Sequence, residues 1–276
     1  MPLPILVVNP NTTKSMTDGL EVALDPSIAS GKLSRPTFFT APSGIASIND
    51  SQDCHASAEA VFPSLVSPPS KDCPSLYSRH SAILIACYSV HPLVRQLAAA
   101  QPRRIPVLGI FEASLLASLA ICLAPQDRFG IVTTGAVWDE ILTRGVADFL
   151  GTGGDSATNG SRSPEQSRKF SGVETTGLTA VELHSTPPEE VTRRLKEAVK
   201  RLIRRTQSSS DDDGDGGGQQ SRLRAVCLGC AGMVGFDEAI RAGCIEELGP
   251  EEGAKISIVD GVKAGYVMLE GMVRAG

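Results

Sequence analysis

The feature that most constrains this chain is a rhythm. Short β-branched runs recur at Ile5 to Val8, Ala82 to Ala86, Phe129 to Thr133, Leu223 to Leu228 and Ile256 to Val259. Each is followed by a polar or Gly-containing turn and then a helix-like stretch. A strand period that repeatedly gives way to a helical one is the pattern of a parallel sheet with crossover helices. The clearest helices are Ala113 to Leu123 and Glu189 to Arg205. The second opens on Thr186-Pro187-Pro188-Glu189-Glu190, which supplies a cap, prolines for the first turn and acids at the positive end of the dipole. The expected class is therefore α/β. Aromatics are scarce at 4 % and the apolar content is mainly Ala, Val, Leu and Ile, which suits buried parallel strands.

The rhythm also repeats on a larger scale. Strand Ile5–Val8 runs into Asn9-Pro10-Asn11-Thr12-Thr13, and a later strand, Ala82–Ala86, ends in Cys87. Strand Ile131–Val132 runs into Thr133-Thr134-Gly135, and a later strand, Ala225–Leu228, ends at Gly229-Cys230. Each half thus pairs a strand ending in a polar turn with a strand ending in a cysteine. Two pseudo-symmetric α/β domains are expected, residues 1–107 with 263–276 and residues 108–262, each a parallel sheet flanked by helices. Ligands bind beyond the carboxyl ends of parallel strands, so both turns and both cysteines are expected at one cleft where the domains meet.

Three stretches read as insertions: Ser67 to Ser78, about 151–169, and about 207–221. The last holds Ser208-Ser209-Ser210-Asp211-Asp212-Asp213 and a glycine run. It has too little apolar surface to order itself and is expected to be a flexible loop. Its Asp-x-Asp pattern lacks the terminal Glu of a calcium loop.

A net charge of −5 argues against nucleic acid or an anionic membrane as partner. The one basic run, Arg193 to Arg205, reads as a solvated helix face. No window reaches the apolar length of a membrane span. The opening Leu3-Pro4-Ile5-Leu6-Val7-Val8 has no basic region before it and reads as a strand, not a secretory signal. Seven scattered cysteines are an odd number, unlike a disulfide framework, so a reducing, cytoplasmic setting is expected.

Two cysteines carry the chemical interest. Cys87 follows Ile83-Leu84-Ile85-Ala86, where the amides of a following helix can lower a thiol from about 8.5 toward neutrality. The alternative is a small core residue. Cys230 ends Val226-Cys227-Leu228-Gly229, again at a Gly-containing turn open to a ligand. Cys227 and Cys230 form a C-x-x-C. A structural zinc site needs about four ligands, and no second pair follows. A thioredoxin-like pair belongs at a helix start, whereas Cys227 lies within the strand. Cys227 is taken as core and no metal is expected.

The segments Ile5 to Thr13, Ala41-Pro42-Ser43-Gly44, Ala86-Cys87, Leu228-Gly229-Cys230-Ala231-Gly232-Met233 and Ile258-Val259-Asp260-Gly261-Val262 resemble the hydantoin racemase family. That family includes allantoin racemase and lies within the aspartate/glutamate racemase superfamily. The likeness runs from residue 3 to about 270 and fails only in the insertions. It implies two α/β domains with the active site between them, Cys87 and Cys230 as catalytic residues, no cofactor, and a small-molecule substrate. The substrate-holding groups it implies are Asn11, Ser43, Thr133 and Thr134, with backbone amides near Ser89 and Gly232; Tyr88, His91 and Ala231 beside them are also expected to meet substrate, and Asn9 either stabilises its turn or touches ligand. A homo-oligomer is expected.

One departure stands out. After the first cysteine, hydantoin racemases usually read Phe-Gly-Asp-Pro-Gly-Leu; here the run is Tyr88-Ser89-Val90-His91-Pro92-Leu93. The acidic position has become Val90, which resembles a fungal branch associated with allantoin breakdown. His91 either polarises a substrate carbonyl, pairs with Cys87, or bonds backbone at a helix start. Glu112 either faces the cleft or caps the next helix. His55, His80 and His184 carry no pattern.

Racemisation beside a carbonyl needs a base on one face and an acid on the other. A thiol ionises close enough to neutrality to serve as either. The expected function is therefore cofactor-independent racemisation of a hydantoin-like cyclic ureide such as allantoin. Alternatives on the same scaffold are a single-cysteine decarboxylase or isomerase, and a catalytically idle binding or regulatory protein.

Overall fold

The structure is a computed structural model, and it describes residues 3–66, 75–102, 104–152, 169–208 and 220–276. The three expected insertions lie largely outside these residues, and the acidic, Gly-rich loop lies outside them but for its flanks.

The chain forms two compact units, Met1–Ala113 with Gly261–Gly276, and Ser114–Asp260. In the first unit the order is β1 (Ile5–Asn9), α1 (Lys14–Ala29), β2 (Thr37–Thr40), α2 (Ser51–Val66), α3 (Leu76–Arg79), β3 (Ala82–Ile85), α4 (Pro92–Ala100) and β4 (Val107–Gly109). Helix α5 (Ile110–Ile121) leads into the second unit. There follow β5 (Asp127–Thr133), α6 (Trp138–Phe149), β6 (Phe170–Thr175), α7 (Glu182–Ser185), α8 (Pro188–Ser208), β7 (Arg222–Leu228), α9 (Asp237–Leu248), α10 (Pro250–Ala254) and β8 (Ser257–Asp260). The last helix, α11 (Gly261–Ala275), returns to the first unit.

Each unit holds a four-stranded sheet whose strand pairs are all parallel, in the orders β2-β1-β3-β4 and β6-β5-β7-β8. The two orders are the same once β5 to β8 are set against β1 to β4. The repeat in the sequence is thus a repeat in topology.

The central strands read as continuous apolar runs because both their faces are covered. In the first unit Leu6, Val8, Ile83 and Ile85 pack on Ala58, Val61 and Leu65 of α2 and Leu93 and Leu97 of α4. In the second, Val226 and Leu228 pack on Leu195, Val199 and Leu202 of α8 and Ile240 and Cys244 of α9. The basic run on α8 is a paired surface: Arg193 and Arg194 hold Glu190, Arg201 holds Glu174, and Arg204 holds Glu247, each at 2.7 Å. Among the described residues no helix is long and apolar enough to cross a membrane.

Candidate active site

In the first unit the site grows from the carboxyl ends of β1 and β3, which pair directly with Val8 opposite Ile85. The turn after β1 is organised by Asn9, which is buried. Its Nδ2 donates to Asn11 Oδ1 at 3.2 Å, to the Thr13 carbonyl at 3.1 Å and to Thr17 Oγ1 at 3.0 Å. Asn9 is thus a turn-former, in keeping with the residue type. Asn11 Oδ1 also accepts the Thr13 amide at 2.9 Å, while its Nδ2 reaches the Met16 thioether at 3.2 Å. The loop after β2 is tied to this turn. Thr12 donates its amide to the Ile45 carbonyl at 2.9 Å, and Thr13 Oγ1 donates to the Ala46 carbonyl at 2.7 Å. That fixes the loop bearing Ser43, which is itself exposed.

Beyond β3, Ala86 continues the ladder by donating its amide to Val8 O at 2.8 Å, and Cys87 is the next residue. The segment then turns tightly, with the Ser89 amide on Cys87 O at 3.1 Å and the His91 amide on Ser89 O at 2.8 Å. Helix α4 starts only at Pro92, so its first free amide meets His91 and not the thiol. The half-buried Cys87 Sγ instead lies 3.3 Å from Ser89 Oγ. Tyr88 turns into the core, edge-on to Phe111 with centroids 5.5 Å apart.

A second cysteine sulfur shares this place. Cys54 Sγ donates to the same Ser89 Oγ at 3.3 Å and is buried. Its helix, α2, is capped by Asp50, whose Oδ1 accepts the Asp53 amide at 2.8 Å, and Asp53 in turn accepts the Asn49 amide at 2.8 Å. One turn on, Ser57 Oγ donates to Pro10 O at 2.6 Å. Cap and latch together hold Cys54 under the turns after β1 and β3. The hydrogen bond with Cys87 is the chief reason the Cys54 thiol ionises below its ordinary value.

Ligating atoms of Cys54, Cys87 and His91 all lie within 4.8 Å of one another. His91 Nδ1 accepts the Leu93 amide at 3.3 Å, which places the proton of the neutral ring on Nε2. Burial first, and the charge of His55 second, hold the ring's pKa down at about 4, so the ring is neutral at any working pH. Nε2 is buried with no partner among the described residues. A cation would need the lone pair that this tautomer denies it, at the cost of the Leu93 bond. His91 thus stands beside the two sulfurs as a neutral ring that carries its proton on Nε2.

The second unit repeats the plan. Gly229 donates its amide to Val132 O at 2.7 Å, as Ala86 does to Val8, and Cys230 is the next residue. Thr133 is fully buried, and its Oγ1 donates to Gly229 O at 2.6 Å, latching the ends of β5 and β7 together. A Cβ on Gly229 would stand 2.6 Å from Thr133 Cβ and 2.8 Å from Ile131 Cγ2, so the close approach requires glycine. The half-buried Cys230 Sγ accepts the Gly232 amide at 3.3 Å at the head of a short 3₁₀ turn, Ala231–Met233. That amide favours the thiolate, but burial outweighs it and pushes Cys230 up to about 11. His184 comes close as well: its Nε2 is 3.3 Å from where a Gly232 Cβ would stand, with Cys230 Sγ 3.6 Å from the same point. Cys227 points to the opposite face of β7, where its Sγ lies 3.1 Å from Ser118 Oγ on α5.

Cys87 and Cys230 therefore hold the same address in two copies of one plan, the second residue past the third strand of each repeat. The family model for Asp/Glu/hydantoin racemase matches residues 5–208. The chain belongs to that family. It is 30 % identical over 274 residues to an uncharacterised protein of Schizosaccharomyces pombe, covering 98 % of this chain and 92 % of the relative. Its fold is similar to the allantoin racemase of Pseudomonas fluorescens, with a TM-score of 0.68, 22 % identity and coverage of 99 % and 92 %. The glutamate racemase of Bacillus anthracis is similar at a TM-score of 0.56 and 14 % identity, with coverage of 99 % and 82 %. Membership makes the chain a racemase kind of enzyme acting on a small molecule.

The residues of the turns differ in what their side chains are used for. Cys87, Ser89 and His91 stand together, as do Cys230, Ala231 and Gly232, while Asn9 and Thr133 are spent on building the turns. Two residues escaped the sequence reading. Cys54 lies inside an amphipathic helix with no strand or turn to mark it, and His184 precedes its neighbour Gly232 by a long stretch of chain. Glu112, in the first turn of α5, occupies room left by Gly109; its Oε2 is buried and unpartnered among the described residues, and burial raises its pKa.

Proposed function

We propose that the protein is a cofactor-independent racemase of hydantoin-like cyclic ureides such as allantoin, with Cys87 and Cys230 as its two acid/base residues. The observation that carries this reading is the matched address of the two thiols in repeated units, combined with their opposed electrostatics. The Cys54 thiol, hydrogen-bonded to Cys87, ionises below its ordinary value, whereas Cys230 is held protonated, and the charge borne by the first pair is proposed to be available at Cys87. Cys87 as thiolate takes the proton from the ring carbon beside the carbonyl. Cys230 as thiol gives its own proton to the other face, and the opposite enantiomer reverses the roles. The carbanion is delocalised into the ring carbonyl. His91 Nε2–H and the Thr134 hydroxyl are the donors proposed for the developing enolate, where a preorganised donor contributes about 3 kcal/mol. Asn11, Ser43, Ser89 and the amides at Ala231 and Gly232 are proposed to hold the ring. The seat of action in the cell is proposed to be the cytoplasm.

The identity of the known fold neighbours favours allantoin as the first substrate to try. Enantiopure allantoin and a panel of 5-substituted hydantoins, followed by circular dichroism, test the reading. Decay of the signal to zero without loss of substrate supports it. A constant signal with every compound, or decay with release of carbon dioxide, overturns it.

The reading also fixes a pH profile. One proton must be present across the two catalytic thiols. Activity should fall at low pH as the Cys54–Cys87 pair gains its last proton, and fall again at high pH as Cys230 loses its own, at about 11. A plot of kcat/KM against pH with an alkaline limb near the ordinary thiol value of about 8.5 would show that Cys230 is not the acid described.

A further inference from the structure

The first unit contains one more ionisable sulfur than proton transfer requires. Cys54 and Cys87 each place Sγ 3.3 Å from the same Ser89 Oγ. A Ser hydroxyl has one proton to donate and can accept another, so it can bridge a thiol to a thiolate. The capped start of α2 and the Ser57–Pro10 latch hold Cys54 in register with that hydroxyl. We propose that Cys54 is a positioning residue for Cys87, joined to it through Ser89 so that one negative charge is shared between the two sulfurs. This inference rests on the reading of Cys87 as a base.

The physical case is one of charge accommodation. A half-buried thiolate needs either a cation or a set of hydrogen-bond donors. The charged or titratable groups acting on Cys54 are His55 on its own helix and Asp50 at the helix cap, with Cys87 and His91 from the turn after β3. The donors on hand are the Ser89 hydroxyl and the partner thiol. With one proton on two sulfurs the pair is a single base, and it ionises as a pair. When the substrate proton moves to Cys87 Sγ, both sulfurs are protonated and the electron pair stays on the substrate until Cys230 delivers its proton.

The test needs no substrate. The full-length protein is alkylated with iodoacetamide as a function of pH, and the adduct at Cys87 is quantified by mass spectrometry. In Cys54→Ala the thiolate loses a donor, and the Cys87 rate at neutral pH should fall roughly tenfold, the equivalent of one unit in its ionisation. Ser89→Ala should move the profile in the same direction. Cys54→Ser keeps a donor and should recover part of the loss. Profiles for Cys54→Ala and Ser89→Ala that superimpose on the native one would overturn the proposal. So would an equal loss in Cys54→Ala and Cys54→Ser, because packing alone would then account for it. A shifted profile in a protein that racemises nothing would sink the proposed function and leave the sulfur pair standing.

Discussion

Replacing either Cys87 or Cys230 with serine should cut turnover on a confirmed substrate by about a thousandfold or more. The unactivated hydroxyl is far too weak an acid to exist as an alkoxide near neutrality, and it donates its proton reluctantly. The size of the loss corresponds to about 4 kcal/mol of transition-state stabilisation. Both positions lie in turns beyond strand ends and are half-buried, so the variants should melt with the native protein. Cys227→Ser provides the contrast: its sulfur is buried on the far face of β7 beside Ser118, and its loss should leave turnover close to native. A Cys87→Ser or Cys230→Ser enzyme that works at near-native rate, or a Cys227→Ser enzyme that does not, would contradict the assignment.

The second large effect is expected at a residue with no side chain. In Gly229→Ala the new Cβ meets Thr133 Cβ at 2.6 Å and Ile131 Cγ2 at 2.8 Å, and both are atoms fixed close to the backbone of β5. The Thr133 Cβ cannot rotate away, and Ile131 Cγ2 could do so only by a χ1 change that a β-branched residue resists, so the ends of β5 and β7 must part and the Thr133–Gly229 latch must stretch. Overpacking of this kind costs about 1–3 kcal/mol. The shift also carries Cys230, the next residue, out of place, and a displacement near 1 Å is enough to cost about a hundredfold in rate. Gly271→Ala on α11, where a Cβ meets nothing within 4 Å, is the control and should be neutral or slightly stabilising. Urea unfolding and turnover measured together decide the matter: a Gly229→Ala protein as stable and as active as Gly271→Ala would show that the latch does not position the thiol.

What the sequence made legible follows from burial. The strands read in advance were β1, β3, β5, β7 and β8, and the first four are the central pairs of the two sheets. Covered on both faces, they are written as unbroken apolar runs such as Ile83-Leu84-Ile85. The strands not read, β2, β4 and β6, are all edges. Thr37-Phe38-Phe39-Thr40 is short and only partly buried, Val107-Leu108-Gly109 pairs over three residues only, and β6 carries Ser171 and Gly172 in its first half. Edge strands have one open side and need not be apolar, so pattern finds only an edge as apolar as β8, with its Ile258 and Val259 and Ile256 just before it.

The site was legible to the same degree. A cysteine at the end of a buried strand announces itself, and the repeat singled out Cys87 and Cys230 from the other cysteines. The roles of their neighbours were not visible, because they depend on bonds made across the fold. Thr133 and Asn9 have the composition of ligand-binding residues, yet their polar atoms close the turns. His91 had three readings in sequence. The Leu93 amide on Nδ1 makes it the cap of α4, and the buried Nε2, without a partner among the described residues, is what the proposed donor role rests on. Cys54 was one scattered cysteine among several until the packing of α2 brought it to Ser89.

Solvent deuterium tests the central claim most directly. A single enantiomer of the confirmed substrate is incubated with enzyme in heavy water and sampled in the first few per cent of conversion. With one thiol on each face, the proton removed and the proton delivered belong to different groups. The product enantiomer should therefore carry deuterium at the stereocentre while the remaining substrate keeps protium. Equal labelling of substrate and product from the start, or product that retains the substrate's own hydrogen, would mean that one base serves both faces, and the two-cysteine account would fail.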